Sequence, residues 1–421
     1  MAPRSVRAAT PLDVPAARRD GQDVPRRAGT LVLASSVVVL FLASANAPSP
    51  LYQTYESAWH AGALIGTIAF ATYAVAVIGG LLWLDRLSER FGRRTVLVAA
   101  IGGQVIALAM FALAGSFVPI VIGRALQGLA SGAALGNLSA LMIESDQEYG
   151  PIASAASPGT GSGLGALLSG LLIQFVPGPT HTIYLVLGWI LLAQGVLVLR
   201  LVPDTGRQAI PALSFRPRVA VPRQARAAFL GCAPVVFVVW GLSGFYAALS
   251  PALFRALAPS ASGWQSALPL FLLVGTGTVM TVALRHVGGR AVAVVGLLMT
   301  LAGLGVTVAA LALGSAGLYL AASVIAGMGF GPGFQGPVRM VTAGVSDRDR
   351  PALMAAVFVV AYLGLGVVAI VPGALTSAGI PLTRVAAGLA LVLAVLSAAA
   401  LATVVPATRI PATRKGESDA A

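Results

Sequence analysis

The sequence predicts an all-α integral membrane protein with twelve transmembrane helices in two pseudo-symmetric six-helix bundles. Three observations carry that prediction. Hydrophobic residues make up 57% of the 421 positions and charged residues only 10%, against about 25% charged in an ordinary soluble chain. The apolar residues fall in runs near the ~20 residues that a helix needs to cross a bilayer. The basic residues gather in alternate connections between those runs. An outer-membrane barrel would instead show alternating segments of about ten residues, and the sequence has none.

Taken in order, residues 1–28 are polar, with six Arg and several Pro, and read as a disordered cytoplasmic tail. The first apolar run is Gly29 to Pro48. Its Ala45-Asn46-Ala47 resembles a signal-peptidase site, but the long charged tail and the many following spans favour an uncleaved helix. The other runs are approximately 62–84, 95–114, 117–143, 151–176, 182–202, 228–250, 265–284, 291–312, 316–342, 352–375 and 382–405. Residues 29–202 then form an N-terminal bundle and 228–405 a C-terminal one. The basic, proline-bearing stretch 203–227 is a cytoplasmic linker, and 406–421 a second cytoplasmic tail. The bundles echo each other: "QGLASGAALG" of the fourth span has a counterpart in "AGMGFGPGFQG" of the tenth. Such internal repeats mark secondary transporters.

Orientation follows from charge. With both termini inside, the cytoplasmic segments hold 23 of the 27 basic residues. Only Arg255 and Arg384 fall outside, while Arg124 and Arg339 lie within spans. This is the positive-inside pattern of a multi-pass protein in the cytoplasmic (plasma or inner) membrane. It also accounts for the net charge of +13 without nucleic acid as a partner. Tyr52, Tyr55 and Trp59 would mark the outer interface and Trp83 the inner one. Cys232 stands alone, so no intrachain disulfide forms. His60, His181 and His286 are scattered without metal-ligand spacing. No P-loop, zincin motif or nucleophile elbow occurs. Gly331, Gly333 and Gly336 fit G-x-G-x-x-G but sit in an apolar helix, not after a strand. The expectation is therefore a non-enzymatic, cofactor-free monomer, with the lipid bilayer and a small molecule as partners.

The stretch "LDRLSERFGRRTVL" places Asp85, Arg86, Glu89, Arg90, Arg93 and Arg94 in one short connection. Topology explains its arginines, and Gly92 lets the backbone turn. It does not explain Glu89 and Gly92 at that spacing. The run "DRLSERFGRR" resembles the signature loop of the major facilitator superfamily. Glu89, Arg90, Gly92, Arg93 and Arg94 match in order, and Asp85 stands where that family has Gly. Fourth-span Arg124, Gln127, Gly128 and Gly132 are similar to the family's Arg-bearing fourth helix. "PGTGSGLGALLSGLL" resembles the Gly-rich fifth helix of its antiporter branch. Gly161, Gly165 and Gly170 match there, with Ala166 in place of Pro. The resemblance covers about residues 29–405. It implies that the Asp85–Arg94 loop latches the two halves by a charge relay.

Arg124 can also be read without the resemblance. It lies about seven residues into its helix, or ~10 Å from the outer end. A charge there is costly, faces the bundle interior and marks a pathway. Its alternative role is structural, bonded to backbone carbonyls. Arg124, Gly128, Gly132 and Gly136 follow an i+4 spacing and form one slowly drifting stripe suited to close packing. Arg339, near an inner helix end, is placed to snorkel. Tyr73, Gln104, Asn137, Trp240, Tyr246, Gln335 and Tyr362 are the candidates to line a central cavity. Pro158, Pro269, Pro332, Pro337 and Pro372 are candidate kinks. None of the 14 acids lies deep in a span. If protons are the coupling ion, Glu56, His181, Glu144 or Asp85 must titrate.

The function expected is secondary transport by alternating access, exporting a small apolar or amphipathic molecule. The alternatives are import of a metabolite or organic anion at Arg124, or a non-transporting sensor on the same fold. One substitution separates the readings of Asp85. Asp85→Gly leaves transport intact or improved if the acid is a tolerated departure, and impairs it if the acid has joined the relay.

Overall fold

Long apolar runs bounded by charge, Pro and Gly leave the backbone no partner in lipid except itself, so each run closes its own hydrogen bonds as a helix. The computed structural model describes residues 20–60, 63–84, 87–203, 219–346 and 349–404, and all regular structure among them is helical. The helices are α1 (Asp20–Asn46), α2 (Tyr52–Ala58), α3 (Ala63–Gly79), α4 (Leu87–Phe91), α5 (Arg93–Ala112), α6 (Phe117–Ser145) and α7 (Tyr149–Phe175). They continue as α8 (Pro179–Leu201), α9 (Arg226–Leu257), α10 (Gly263–Ala283), α11 (Gly289–Leu313), α12 (Ala316–Thr342), α13 (Arg350–Ser377) and α14 (Leu382–Val404). All but α2 and α4 are long. Eleven of the long helices are apolar enough to cross a membrane. The other, α7, has 27 residues but is rich in Gly and Ser. α1 begins at Asp20, inside the stretch read as a tail. Residues 1–19, most of the linker (204–218) and 405–421 lie outside the described residues.

Side-chain contacts show which helix ends meet. Arg93 at the start of α5 pairs with Glu144 at the end of α6, and Arg94 reaches the Leu199 carbonyl of α8. Arg339 of α12 donates to the carbonyls of Leu284 and Val287 between α10 and α11. Thr403 of α14 donates to the Gly231 carbonyl of α9. These contacts define a basic end of the bundle. The opposite, far end holds α2 and the starts of α3, α6, α8 and α10.

Two cores organise the helices. The first draws Phe41 from α1, Leu97 and Phe111 from α5, Leu138 from α6 and Tyr184 from α8. The second centres on Phe245, Tyr246, Tyr319 and Leu393 of the C-terminal helices. It also takes in Ala45, Phe70, Tyr73, Ala74, Val77 and Ala166 from the N-terminal half. The seam between halves is thus part of a hydrophobic core. It runs along two antiparallel pairs, α3 against α13 and α7 against α10. On the outside, Leu185, Trp189, Leu192, Val196 and Leu199 form an exposed stripe along α8. Such a stripe is costly in water and suits lipid.

Glycine sets the closest approaches. Gly128 and Gly132 bring α6 onto the backbone of α3, where the helix widens into a π-turn at Gly80–Leu84. Gly327 and Gly331 bring α12 onto α10 in the corresponding way. The repeated glycine sequences therefore make the same helix contact in each half. Ser323 of α12 precedes Gly327 as Arg124 of α6 precedes Gly128.

A methyl group added at Gly132 would lie 2.6 Å from the Gly80 Cα, the Leu81 nitrogen and the Val77 carbonyl. Backbone cannot yield cheaply, so Gly132→Ala is expected to cost about 1–3 kcal/mol. Gly102, in the middle of α5, has nothing within 4 Å of an added Cβ, so Gly102→Ala is the control. Thermal unfolding in detergent should show a lower melting temperature for the first variant only.

Candidate functional site: a buried arginine beside the seam

Arg124 is wholly buried, on the far-end half of α6. Its Nη1 donates to the Ala45 carbonyl at 2.7 Å and to Gln127 Oε1 at 2.8 Å. Ala45 belongs to the last turn of α1, where carbonyls lack helical partners and carry the negative end of the helix dipole. A guanidinium only donates, so it fixes the Gln127 amide with its oxygen inward and Nε2 left over. The guanidinium carbon lies 4.8 Å from the Tyr73 ring centre and 5.7 Å from that of Phe70. Both contacts are within cation–π range. Nε and Nη2 of Arg124 and Nε2 of Gln127 are buried without a close hydrogen-bond partner, while the Tyr52 hydroxyl lies beside the guanidinium and the Tyr73 hydroxyl beside Ser131 and Tyr362. No ion pair to Arg124 forms among the described residues. Gln104 closes the back of the cluster, donating to Ser131 Oγ at 2.9 Å and to the Gln127 carbonyl at 3.3 Å.

Tyr362 of α13 lies across the seam beside Tyr73. It packs on Trp240 of α9 at 4.9 Å, and Trp240 also meets Phe334 and Phe358. Tyr73, Tyr362 and Trp240 thus follow one another from Arg124 across the seam, with Gln104 behind the guanidinium. The other three cavity candidates lie elsewhere. Tyr246 is fully buried and stacked on Tyr319, turned toward Thr307 of α11 and Ser323 of α12 inside the C-terminal half. Gln335 accepts a bond from Arg339 at 2.8 Å, close to the basic end. Asn137 lies thirteen residues beyond Arg124 on α6, or about 20 Å along the helix, and bonds the Ala133 carbonyl. Gly136 is likewise exposed rather than in the packing stripe. An i+4 stripe turns by about 40° per step, so its fourth member leaves the face of the first.

The sequence reading missed the Ala45 carbonyl, Tyr52 and Phe70. One signal was available: Pro48 and Pro50 end α1 and leave its last carbonyls short of N–H donors. Tyr52 and Tyr55 face inward rather than outward. Both are buried, and Tyr55 stacks on Trp59 and bonds the Tyr184 hydroxyl at 3.0 Å.

The Major Facilitator Superfamily model matches residues 33–230. The fold over most of the chain agrees with it. A mutant of the nucleoside transporter NupG superposes with a TM-score of 0.67 at 12% identity, over 91% of this chain and 100% of that one. A bacterial homolog of the human lysosomal transporter Spinster, inward-facing and unoccupied, superposes with a TM-score of 0.67 at 15% identity. That match covers 91% of this chain and 97% of the homolog. The family model thus covers just under half of the chain, and the superposed structures extend the shared fold to 91% of it. No curated protein sequence matches it.

The loop between α3 and α5 that resembles the superfamily's signature is only partly within the described residues. Asp85 and Arg86 lie outside the described residues, as does the Glu89 side chain. Gly92 has φ 83°, a left-handed value that a side chain would strain. It starts α5 and aims Arg93 at Glu144, in a two-pronged pair at 2.6 and 2.9 Å. Arg90 lies over the neighbouring Phe91 ring. The contacts made by Arg93 and Arg94 to Glu144 and Leu199 fall within the N-terminal half, not between halves. The reason is local: Gly92 turns the chain at the α5 start, next to the end of α6. Among the fifth-helix glycines, Gly161 and Gly165 press α7 onto the backbone of α1 at Val39 and Ala43. Gly170 presses it onto Gly263 and Trp264 of α10, across the seam.

Among the acids expected to titrate, Glu144 is held by Arg93. Glu56 of α2 is half-buried, with its carboxylate packed against Gly66 of α3. Burial raises its carboxyl above the usual range. The fold therefore favours the neutral acid. That contribution is present below the ordinary carboxylate pKa and is lost as pH rises through the raised one. Melting temperatures between about pH 4 and 7 should fall with rising pH for the wild type relative to Glu56→Gln. Parallel curves for the two proteins would refute this.

Proposed function

We propose that this protein is a secondary transporter working by alternating access, with its substrate site at the Arg124 cluster. One observation carries the reading: a polar and aromatic centre lies at the seam, directly beneath a closed far end. There Gly373 of α13 meets Thr67 of α3, and Gly170 meets the start of α10. The buried turn Ser49–Leu51 touches α9 and α10. Separating the halves at this end would open the centre, and closing them at the basic end would complete the cycle. The superposed structures support the reading, since both are transporters by name and share the fold.

Export of a small amphipathic molecule is the direction we favour. The walls of the centre are mostly aromatic, from Phe70, Tyr73, Trp240 and Tyr362. A molecule suited to such walls enters lipid unaided, so a carrier is needed chiefly to expel it. The basic end is assigned to the cytoplasm on the positive-inside pattern, which places the far end outside.

A cysteine pair tests closure and orientation together. A Cβ on Gly373 would lie 3.0 Å from the Thr67 Cβ, so a shift of a few tenths of an ångström gives the ~3.5–4.5 Å of a disulfide. Cys232, the native cysteine, is buried and gives little background. In cells overproducing the wild type, accumulation of at least one of a panel of amphipathic dyes should fall. A membrane-impermeant thiol cross-linker added outside should abolish that effect in the Thr67→Cys/Gly373→Cys protein, and a reductant should restore it. Unchanged accumulation of every dye would count against export, and an inert cross-link against the gating scheme.

A further inference from the structure

The Arg124 side chain has a bound edge and a free edge. Nη1 is taken by Ala45 and Gln127. The two nitrogens without partners, Nε and Nη2, are the pair that lies side by side along one edge of the guanidinium. Their N–H bonds point the same way, at the spacing of two carboxylate oxygens. The other orphans around this edge reinforce its polarity. Gln127 Nε2 is a donor whose orientation Arg124 itself fixes. The hydroxyls of Tyr52 and Tyr73 can donate or accept, and the Tyr52 oxygen lies beside the guanidinium. Gln104 Oε1 is the orphan acceptor in the cluster. A cationic ligand would meet the charge of Arg124 at close range. A buried guanidinium with no ion pair among the described residues is also electrically incomplete.

We infer that the substrate is an amphipathic carboxylate. Its carboxylate takes the Nε–Nη2 edge of Arg124, and its apolar, preferably flat, body lies against Phe70, Tyr73, Tyr362 and Trp240. This inference rests on the Arg124 cluster being the transport site and names the class of molecule that site takes. The edge is sealed from water in the closed state, so the carboxylate reaches it when the halves part, and it replaces water that the guanidinium would otherwise hold.

The test uses the full-length protein purified in detergent. Benzoate and octanoate are compared with benzamide and octanamide, which keep the body and lose the charge, and with chloride at equal ionic strength. The carboxylates should each raise the melting temperature by about 2–4 °C near saturation, and the amides and chloride should not. Arg124→Gln should lose the response. Because that variant can misfold, Gln127→Glu is the second probe: it supplies a built-in carboxylate beside the guanidinium. It should remain folded and lose the response. Equal shifts with the amides, a shift with chloride alone, an unaltered response in Gln127→Glu, or no shift with either carboxylate would overturn the inference. Dye export by the same protein keeps the two readings distinguishable. Export without a carboxylate response refutes the carboxylate class alone, and a carboxylate response without flux of dyes or carboxylates in vesicles refutes transport alone.

Discussion

The hydrogen bond from Arg124 to the Ala45 carbonyl constrains much of what surrounds it. A guanidinium inside a membrane bundle must find acceptors and polarisable faces within the protein, because lipid offers none. Here the acceptors come from the last turn of α1 and from Gln127, and the faces from Phe70 and Tyr73 of α3. Three helices must therefore converge on one point. Gly128 and Gly132 let α6 reach α3, and Gly161 and Gly165 let α7 press α1 from behind. The Ser169 hydroxyl of α7 holds the Ala47 carbonyl at 2.7 Å, one step beyond the same helix end. The stretch that resembles a signal-peptidase site is thus buried at the meeting point of the N-terminal half.

The two halves use one helix arrangement for different tasks. The glycine contact between α6 and α3 recurs between α12 and α10, but Ser323 stands where the charge would be. The C-terminal half instead contributes the aromatic group Trp240, Phe334, Phe358 and Tyr362. The N-terminal half holds the charge, and the C-terminal half brings Tyr362 beside Tyr73 across the seam. The seam between them combines hydrophobic core with buried polar groups that lack close partners.

Much of the fold was legible from the sequence because hydrocarbon permits few alternatives. Runs of apolar residues become helices, and arginines stay at one end of them. Arg124 and Gln127 were legible as a pair, since a charge at mid-helix depth demands an inward face. The cavity candidates were less so. Tyr73 and Tyr362 meet across the seam, while Tyr246 turns into its own half and Gln335 is held by Arg339. All are polar residues within spans, and helical periodicity does not say which neighbour a given face will meet. Arg93 is a similar case. Its spacing from Gly92 was readable, but its pairing with Glu144 depends on the α5–α6 hairpin bringing distant residues together.

Composition, run length and the distribution of basic residues determined by themselves that the chain is a helical membrane protein of many spans. They did so because the free energy of placing backbone and charge in a bilayer depends on local sequence. Tertiary structure alone decided which edge of Arg124 is bound and which is free. That choice depends on where the end of α1 lies relative to α6, a distance set by glycine contacts among α1, α3, α6 and α7. Residues so far apart in the chain carry no local energy that a sequence reading can weigh.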